Sequence, residues 1–182
     1  IDLPTKMKTK KGFSTDIESA TTGNEDFRRV LYTGRYSQLV LMSLRPGEEI
    51  GEETHDDVDQ FFRFEEGEGT VTIDDTEYRV KDGTAVIVPS GAKHNVVNTS
   101  KKSHLKLYTI YSPPEHQDKI VRRTKKEAMA EEEHFDGKTQ NRATMTIAWW
   151  TRSVLFHFIS IQNATFTSDQ KVLPWMGVKA MD

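Results

Sequence analysis

No cysteine occurs among the 182 residues, which excludes disulfides, thiolate catalysis and every cysteine-containing zinc site. Any metal must be held by imidazole, carboxylate or amide groups. Charge of one sign is not in large excess, because 25 Lys+Arg face 28 Asp+Glu for a formal net charge of −3. A nucleic-acid partner calls for a clustered basic surface, so none is expected. No apolar run follows the lysines of IDLPTKMKTKKGF at the start of the sequence, so no signal peptide is expected there and a cytoplasmic location is. The densest apolar stretch, MTIAWWTRSVLFHFISI (145–161), is interrupted by Arg152 and His157. It falls short of the ~20 apolar residues of a membrane-spanning helix, so membrane association is not expected.

What is present changes character along the chain. Residues 1–24 read as a basic lead-in followed by a short helix in STDIESATTG, with Thr15 and Glu18 spaced as a capping box and Gly23 as its stop. Six short β-type runs follow: YSQLVLMSL, QFFRF, TVTI, EYRV, TAVIV and HLKLYTIY. They are separated by RPGEE, EEGEG, DDT, KDG and PSGA, and no long helical pattern lies between them. This spacing predicts an antiparallel sandwich or barrel. TVTIDDTEYRV predicts a hairpin turning at Asp74 and Asp75. The two prolines of SPPEH (112–116) end the strand region. TKKEAMAEEEHFDG then predicts a helix capped by Thr124 and Glu127 and closed by Gly137. The expected organisation is a lead-in over 1–24, one domain over 25–140, and an extension over 141–182.

The chemistry is concentrated in two places. By themselves the residues of EETHDDVDQFF (52–62) admit a polar turn as readily as a metal site. They belong, however, to a longer frame: Gly47, five residues, Glu53, one, His55, four, Gln60, six, Gly67. Downstream, GTAVIVPSGAKHNVVN (83–98) supplies Gly83, five residues, Pro89, one, Gly91, two, His94, three, Asn98. These frames resemble the paired motifs of the cupin superfamily, G-x5-H-x-H-x3,4-E-x6-G and G-x5-P-x-G-x2-H-x3-N. The second matches at every fixed position. The first keeps its spacing and both glycines, with Glu53 standing for the first His and Gln60 for the Glu. The stretch 25–140 also resembles the small single-domain cupins of the mannose-6-phosphate isomerase-like group.

The resemblance implies an all-β, cupin-type antiparallel barrel (a double-stranded β-helix or jelly roll) with a short N-terminal and a C-terminal helix. It also implies a divalent transition metal (Mn, Fe, Co, Ni or Zn) held by Glu53, His55, Gln60 and His94. Two imidazole nitrogens, one carboxylate and one amide oxygen suit such an ion, with positions left for water or substrate. Phe62 and Phe64 share a strand face with Gln60, and with Tyr108 and Tyr111 they are the expected substrate pocket. Of the histidines outside the motifs, His116 is the one placed to lie near the barrel mouth.

Three functional readings remain open. One is a sugar or sugar-phosphate isomerase in which Glu52 or a free face of Glu53 carries the proton and Arg63 and Lys93 are the candidate phosphate contacts. The second is an O2-dependent dioxygenase of quercetinase type. The third is a non-enzymatic module that binds a small ligand. A homodimer is expected, because pairing open edge strands across a two-fold axis satisfies them.

Both motifs end well before the extension. A chain truncated at Gln140 is therefore expected to keep the bound metal of the full chain, measured by elemental analysis. Metal lost on truncation would place part of the functional domain beyond residue 140.

Overall fold

The computed structural model describes residues 12–131 and 133–140. The start of the lead-in and the extension 141–182, with all three tryptophans, lie outside the described residues. The elements run α1 (Ile17–Thr22), β1 (Arg28–Thr33), β2 (Gln38–Leu44), β3 (Asp59–Glu66), β4 (Glu68–Ile73), β5 (Thr76–Lys81), β6 (Ala85–Val88), β7 (His94–Asn98), β8 (Leu105–Ser112), β9 (Val121–Arg122) and α2 (Lys125–Ala130). They form two antiparallel sheets of a jelly-roll barrel, one ordered β6-β3-β8-β2-β1-β9 and the other β5-β4-β7. Among the described residues no helix is long and apolar enough to cross a membrane.

All six expected runs are strands, and the predicted hairpin closes with Ile73 opposite Thr76. Asp74 adopts a positive φ of 48° in that turn, as two-residue hairpins favour. The helix boundaries differ from the sequence expectation. Asp16, not Thr15, caps α1 and accepts from Ser19 N at 3.1 Å. Thr124 caps α2 as expected, but the helix ends at Ala130, well before Gly137. Arg122 draws Glu131 and Glu133 to 2.6 and 2.8 Å and pulls that acidic run out of helical continuation. Strand β7 was not expected, and its composition explains why. Its inward residues are His94, Val96 and Asn98, so two of the three buried side chains are polar and the apolar alternation is hidden. Asn98 closes the barrel end by donating to the carbonyls of Leu44, Arg45 and Ser103.

Strand register sorts the interior of the larger sheet into layers. Leu44 opposes Leu105, and Met42, Leu107 and Phe64 form the next row. Val40, Thr109 and Phe62 follow, then Gln38, Tyr111, Gln60 and Val88. These side chains face inward and are buried. The layers grade from purely aliphatic and aromatic to largely polar, so one level of the barrel carries hydrogen-bonding groups over an apolar floor. This gradient positions the site.

Two glycines disfavour a side chain for different reasons. Gly67 has φ +90°, and a Cβ there would meet His104 O at 2.3 Å; Gly83 has φ +82° but open space around it. Gly83→Ala is therefore expected to cost about 1–2 kcal/mol for the left-handed backbone alone. Gly67→Ala should cost roughly 3 kcal/mol or more, because strain and overpacking combine. Urea denaturation of the two variants checks this, and equal losses would refute the steric part.

Candidate metal centre

The loop carrying Glu53 and His55 is not a strand, yet it is tied to the second motif by backbone. Glu53 N donates to His94 O and His94 N to Glu53 O, each at 2.9 Å. Gly91 N donates to His55 O at 2.8 Å. Sequence-distant ligand candidates are thereby held side by side. One donor atom from each of Glu53, His55 and His94 lies within 4.8 Å of the others. Donors about 2.1 Å from a shared ion stand at most ~4.2 Å apart, so small side-chain adjustments would bring all three onto one centre.

Hydrogen bonding decides which atoms are free. His94 Nδ1 lies 3.1 Å from the Ala92 carbonyl. A carbonyl only accepts, so Nδ1 carries the proton and Nε2 presents its lone pair. Gln60 Nε2 donates to Thr109 Oγ1 at 3.1 Å, which turns Oε1 the other way. His55 Nε2, Gln60 Oε1 and His94 Nε2 are all buried without a hydrogen-bond partner. Buried polar atoms are rarely left so. Gln60 is tied to the cluster by register, since it opposes Tyr111, whose ring lies 5.9 Å from that of His55. The His55 and His94 rings are 5.6 Å apart, and Phe62 packs 6.1 Å from His94.

The electrostatics suit ligation. Burial pushes the Glu53 carboxyl up, but contact with His55 and the charge of Arg28 outweigh it and leave the carboxyl below its ordinary value. His55 is raised, chiefly by Glu53. His94 is lowered by burial, which favours the neutral imidazole a cation requires. Burial, with Glu53 nearby, pushes the Tyr111 hydroxyl up, so it stays protonated.

Several sequence expectations do not gather here. Glu52 points into solvent, with Lys93 Nζ 3.4 Å away, its side chain 69% exposed. Lys93 is therefore committed outside the barrel, and Arg63 pairs with Glu65 at 3.5 Å. Tyr108 packs against Phe61 on the outer sheet face, with centroids 6.1 Å apart and the rings tilted by 43°. It is three residues from inward-facing Tyr111, and an odd separation on a regular strand reverses the face. Phe64 is wholly buried two rows below Gln60, as part of the core. Of the four expected pocket residues, Phe62 and Tyr111 border the cluster.

Other residues border it that the motifs do not contain. Arg28 reaches from β1 to Glu53 and to Glu133, each at 3.7 Å. Glu115 Oε1 lies 3.7 Å from His55 Nδ1, in the place of a carboxylate that orients a ligating histidine. His116 sets its ring edge-on to Tyr111 at 5.0 Å, and burial keeps it well below the usual imidazole range. The segment bearing Glu115 and His116 is strapped down by Gln38. Its Nε2 donates to His116 O at 2.7 Å, and its Oε1 accepts from His116 N at 2.9 Å and Glu115 N at 3.3 Å. Only SPPEH hinted at these groups, by ending the strands next to the barrel mouth.

Gln38 is fully buried, so removing its amide strands backbone polar groups. Gln38→Leu is expected to cost about 2–4 kcal/mol, read by chemical denaturation. A loss below about 1 kcal/mol would mean that the strap re-pairs elsewhere.

Comparison with known proteins agrees with this architecture. Residues 40–111 match the family model described as "Cupin domain". The uncharacterized protein YrkC of Bacillus subtilis (strain 168) is 44% identical over 129 residues, which cover 68% of this chain and 69% of that protein. Uncharacterized protein L612 of Acanthamoeba polyphaga mimivirus is 40% identical over 107 residues, covering 57% of this chain and 67% of its own. A crystal structure from Bacillus halodurans is 43% identical, with a TM-score of 0.65, over 66% of this chain and 96% of that one. With the spacing of both motifs, the jelly-roll barrel and these relatives in agreement, the chain belongs to the cupin superfamily.

Proposed function

We propose that Glu53, His55, Gln60 and His94 hold one divalent transition metal, and that the chain is a metal-dependent enzyme interconverting the aldose and ketose forms of a small sugar. The observation that carries this reading is the set of buried, unpartnered donors, His55 Nε2, Gln60 Oε1 and His94 Nε2, beside the Glu53 carboxylate. Leaving three such atoms unpaired would cost about 1–3 kcal/mol each, and a cation satisfies all of them. When bound, the ion would polarise a carbonyl and its neighbouring hydroxyl.

The protein groups do the rest. Aldose–ketose exchange moves a proton between adjacent carbons and needs no external oxidant. Of the two carboxylates expected to carry the proton, Glu53 is the one in reach, since Glu52 faces solvent. Its Oε2 faces His55 at 3.5 Å, while Oε1 lies 3.7 Å from Arg28, too far for a committed hydrogen bond. That oxygen is free to take a proton and return it. Phe62 and the neutral Tyr111 hydroxyl border the reacting region and limit water around it.

A dioxygenase reading draws on one observation, the two-histidine, one-carboxylate set, which also suits non-haem iron. It lacks the flat aromatic slot expected for such a substrate, because Tyr108 lies on the outer face and Phe64 is core.

His94→Ala is expected to lose most of the bound metal, measured by elemental analysis, while its far-UV circular dichroism stays β-type. Metal-loaded wild type should convert a free hexose between aldose and ketose, with solvent deuterium entering the carbon skeleton as seen by NMR. Unchanged metal in the variant would refute the ligand assignment. Oxygen uptake without isomerisation would favour the dioxygenase.

A further inference from the structure

An antiparallel sheet with one face on the core commonly turns polar side chains outward. The larger sheet of this barrel does not. Register aligns Ile87 of β6, Phe61 of β3, Ile110 of β8, Leu39 of β2 and Tyr32 of β1 in one row across its outer face. Ile87 is 67% exposed, and Phe61, Ile110 and Leu39 are each partly exposed. No charged side chain stands in the row. At a strand spacing of ~4.8 Å it runs about 19 Å from Ile87 to Tyr32. A contiguous apolar stripe of this kind marks an interaction surface.

The surroundings of the row narrow its occupant. Helix α1 stands on the same face, where Lys106 Nζ donates to Thr22 O at 2.6 Å and Leu41 is 2% exposed. The row is the part of the face that α1 leaves open. Cations near it are committed within the chain: Lys106 to Glu25 at 2.6 Å, Arg63 to Glu65 at 3.5 Å, and Arg29 to Asp26. An acidic partner finds little to hold there, whereas an uncharged, flat face is the kind that homodimers bury. Sheets also pack well on sheets, about 10 Å apart. Five strands at ~4.8 Å by six residues at ~3.4 Å give roughly 500 Å² in projection. Side-chain relief and the α1 of a second copy raise this toward the ~800 Å² per partner of a standard interface.

From these features we infer that the chain forms a two-fold dimer through the outer face of its larger sheet, row against row. Because α1 stands proud on one side of the row, the axis lies along the row. Each α1 then sits beyond the other copy's row instead of colliding with the other α1. Like residues meet across the seam, and Ile110, at its middle, faces its own copy. Strand β8 is an inner strand, flanked by β3 and β2, so this seam differs from the edge-strand pairing expected from the sequence. It also leaves the metal donors alone, because Gln60 and Phe61 are neighbours on β3 and face opposite ways. The dimer is thus independent of the metal reading.

Sedimentation equilibrium of the full-length chain is expected to show a dimer at micromolar concentration. Ile110→Glu and Ile110→Lys should each raise the dimer dissociation constant at least ten-fold, since like charges meet at the axis. Far-UV circular dichroism of both should stay that of the wild type. Mixing the two variants should restore a dimer with one copy of each, which neither a misfolded chain nor an edge-paired one would give. Ile87→Glu, at a side chain already exposed in the single chain, should also weaken the dimer. A monomeric wild type would give the face to another partner and overturn the inference. Dimers that persist unchanged in both Ile110 variants would overturn it too, returning the seam to the strand edges. Variants that stay monomeric when mixed would overturn the two-fold arrangement along the row.

Discussion

The reciprocal pair of backbone hydrogen bonds between Glu53 and His94 is the constraint on which the site depends. It joins an irregular loop to the first residue of β7 and brings Glu53 beside His94, about 40 positions further along the chain. Without it, Glu53 and His55 would belong to a solvated acidic loop, as their neighbours Glu52, Asp56 and Asp57 do. Because both bonds are backbone, the coupling does not depend on the side chains of Glu53 and His94. Glu53 in place of the family's histidine therefore leaves the frame intact.

The layering of the barrel explains why polar donors can be buried here at all. Two rows of large apolar side chains, Leu44 with Leu105 and Met42 with Leu107 and Phe64, supply the stability that a polar level cannot. Above them Gln38, Gln60, Thr109 and Tyr111 pair with one another, with backbone or with the ligand cluster. Burial favours neutral imidazoles at His94 and His116 and a protonated hydroxyl at Tyr111, so these groups offer lone pairs and hydrogen-bond donors without charge. Arg28 lies between two carboxylates, Glu53 and Glu133.

Closure of the mouth comes from outside the motif-bearing strands. Gln38 mimics a strand neighbour: its side-chain amide pairs with the His116 peptide much as a backbone would. That single residue fixes where Glu115 and His116 sit, and so couples the strand exit to the orientation of His55. The acidic segment after α2 contributes Glu133 through its attraction to Arg122, which also shortens the helix. Local propensity favoured a longer helix, and ion pairing in the folded chain overrode it.

Much of this is legible in the sequence. Turn residues and alternating runs announced the barrel, and motif spacing singled out Glu53, His55, Gln60 and His94, because spacing encodes which face a side chain takes and how tightly a turn closes. Strand parity also separates Tyr108 from Tyr111, though a reading by aromatic composition groups them. What the tertiary structure alone decided is how the long-range partners meet. Arg28, Glu115, His116 and Glu133 occupy segments with no shared period or motif, and they face one region only because antiparallel register and the Gln38 strap bring them there. Local sequence determines the direction of a side chain along its own strand; the company it keeps depends on chain closure over many residues, which no local pattern records.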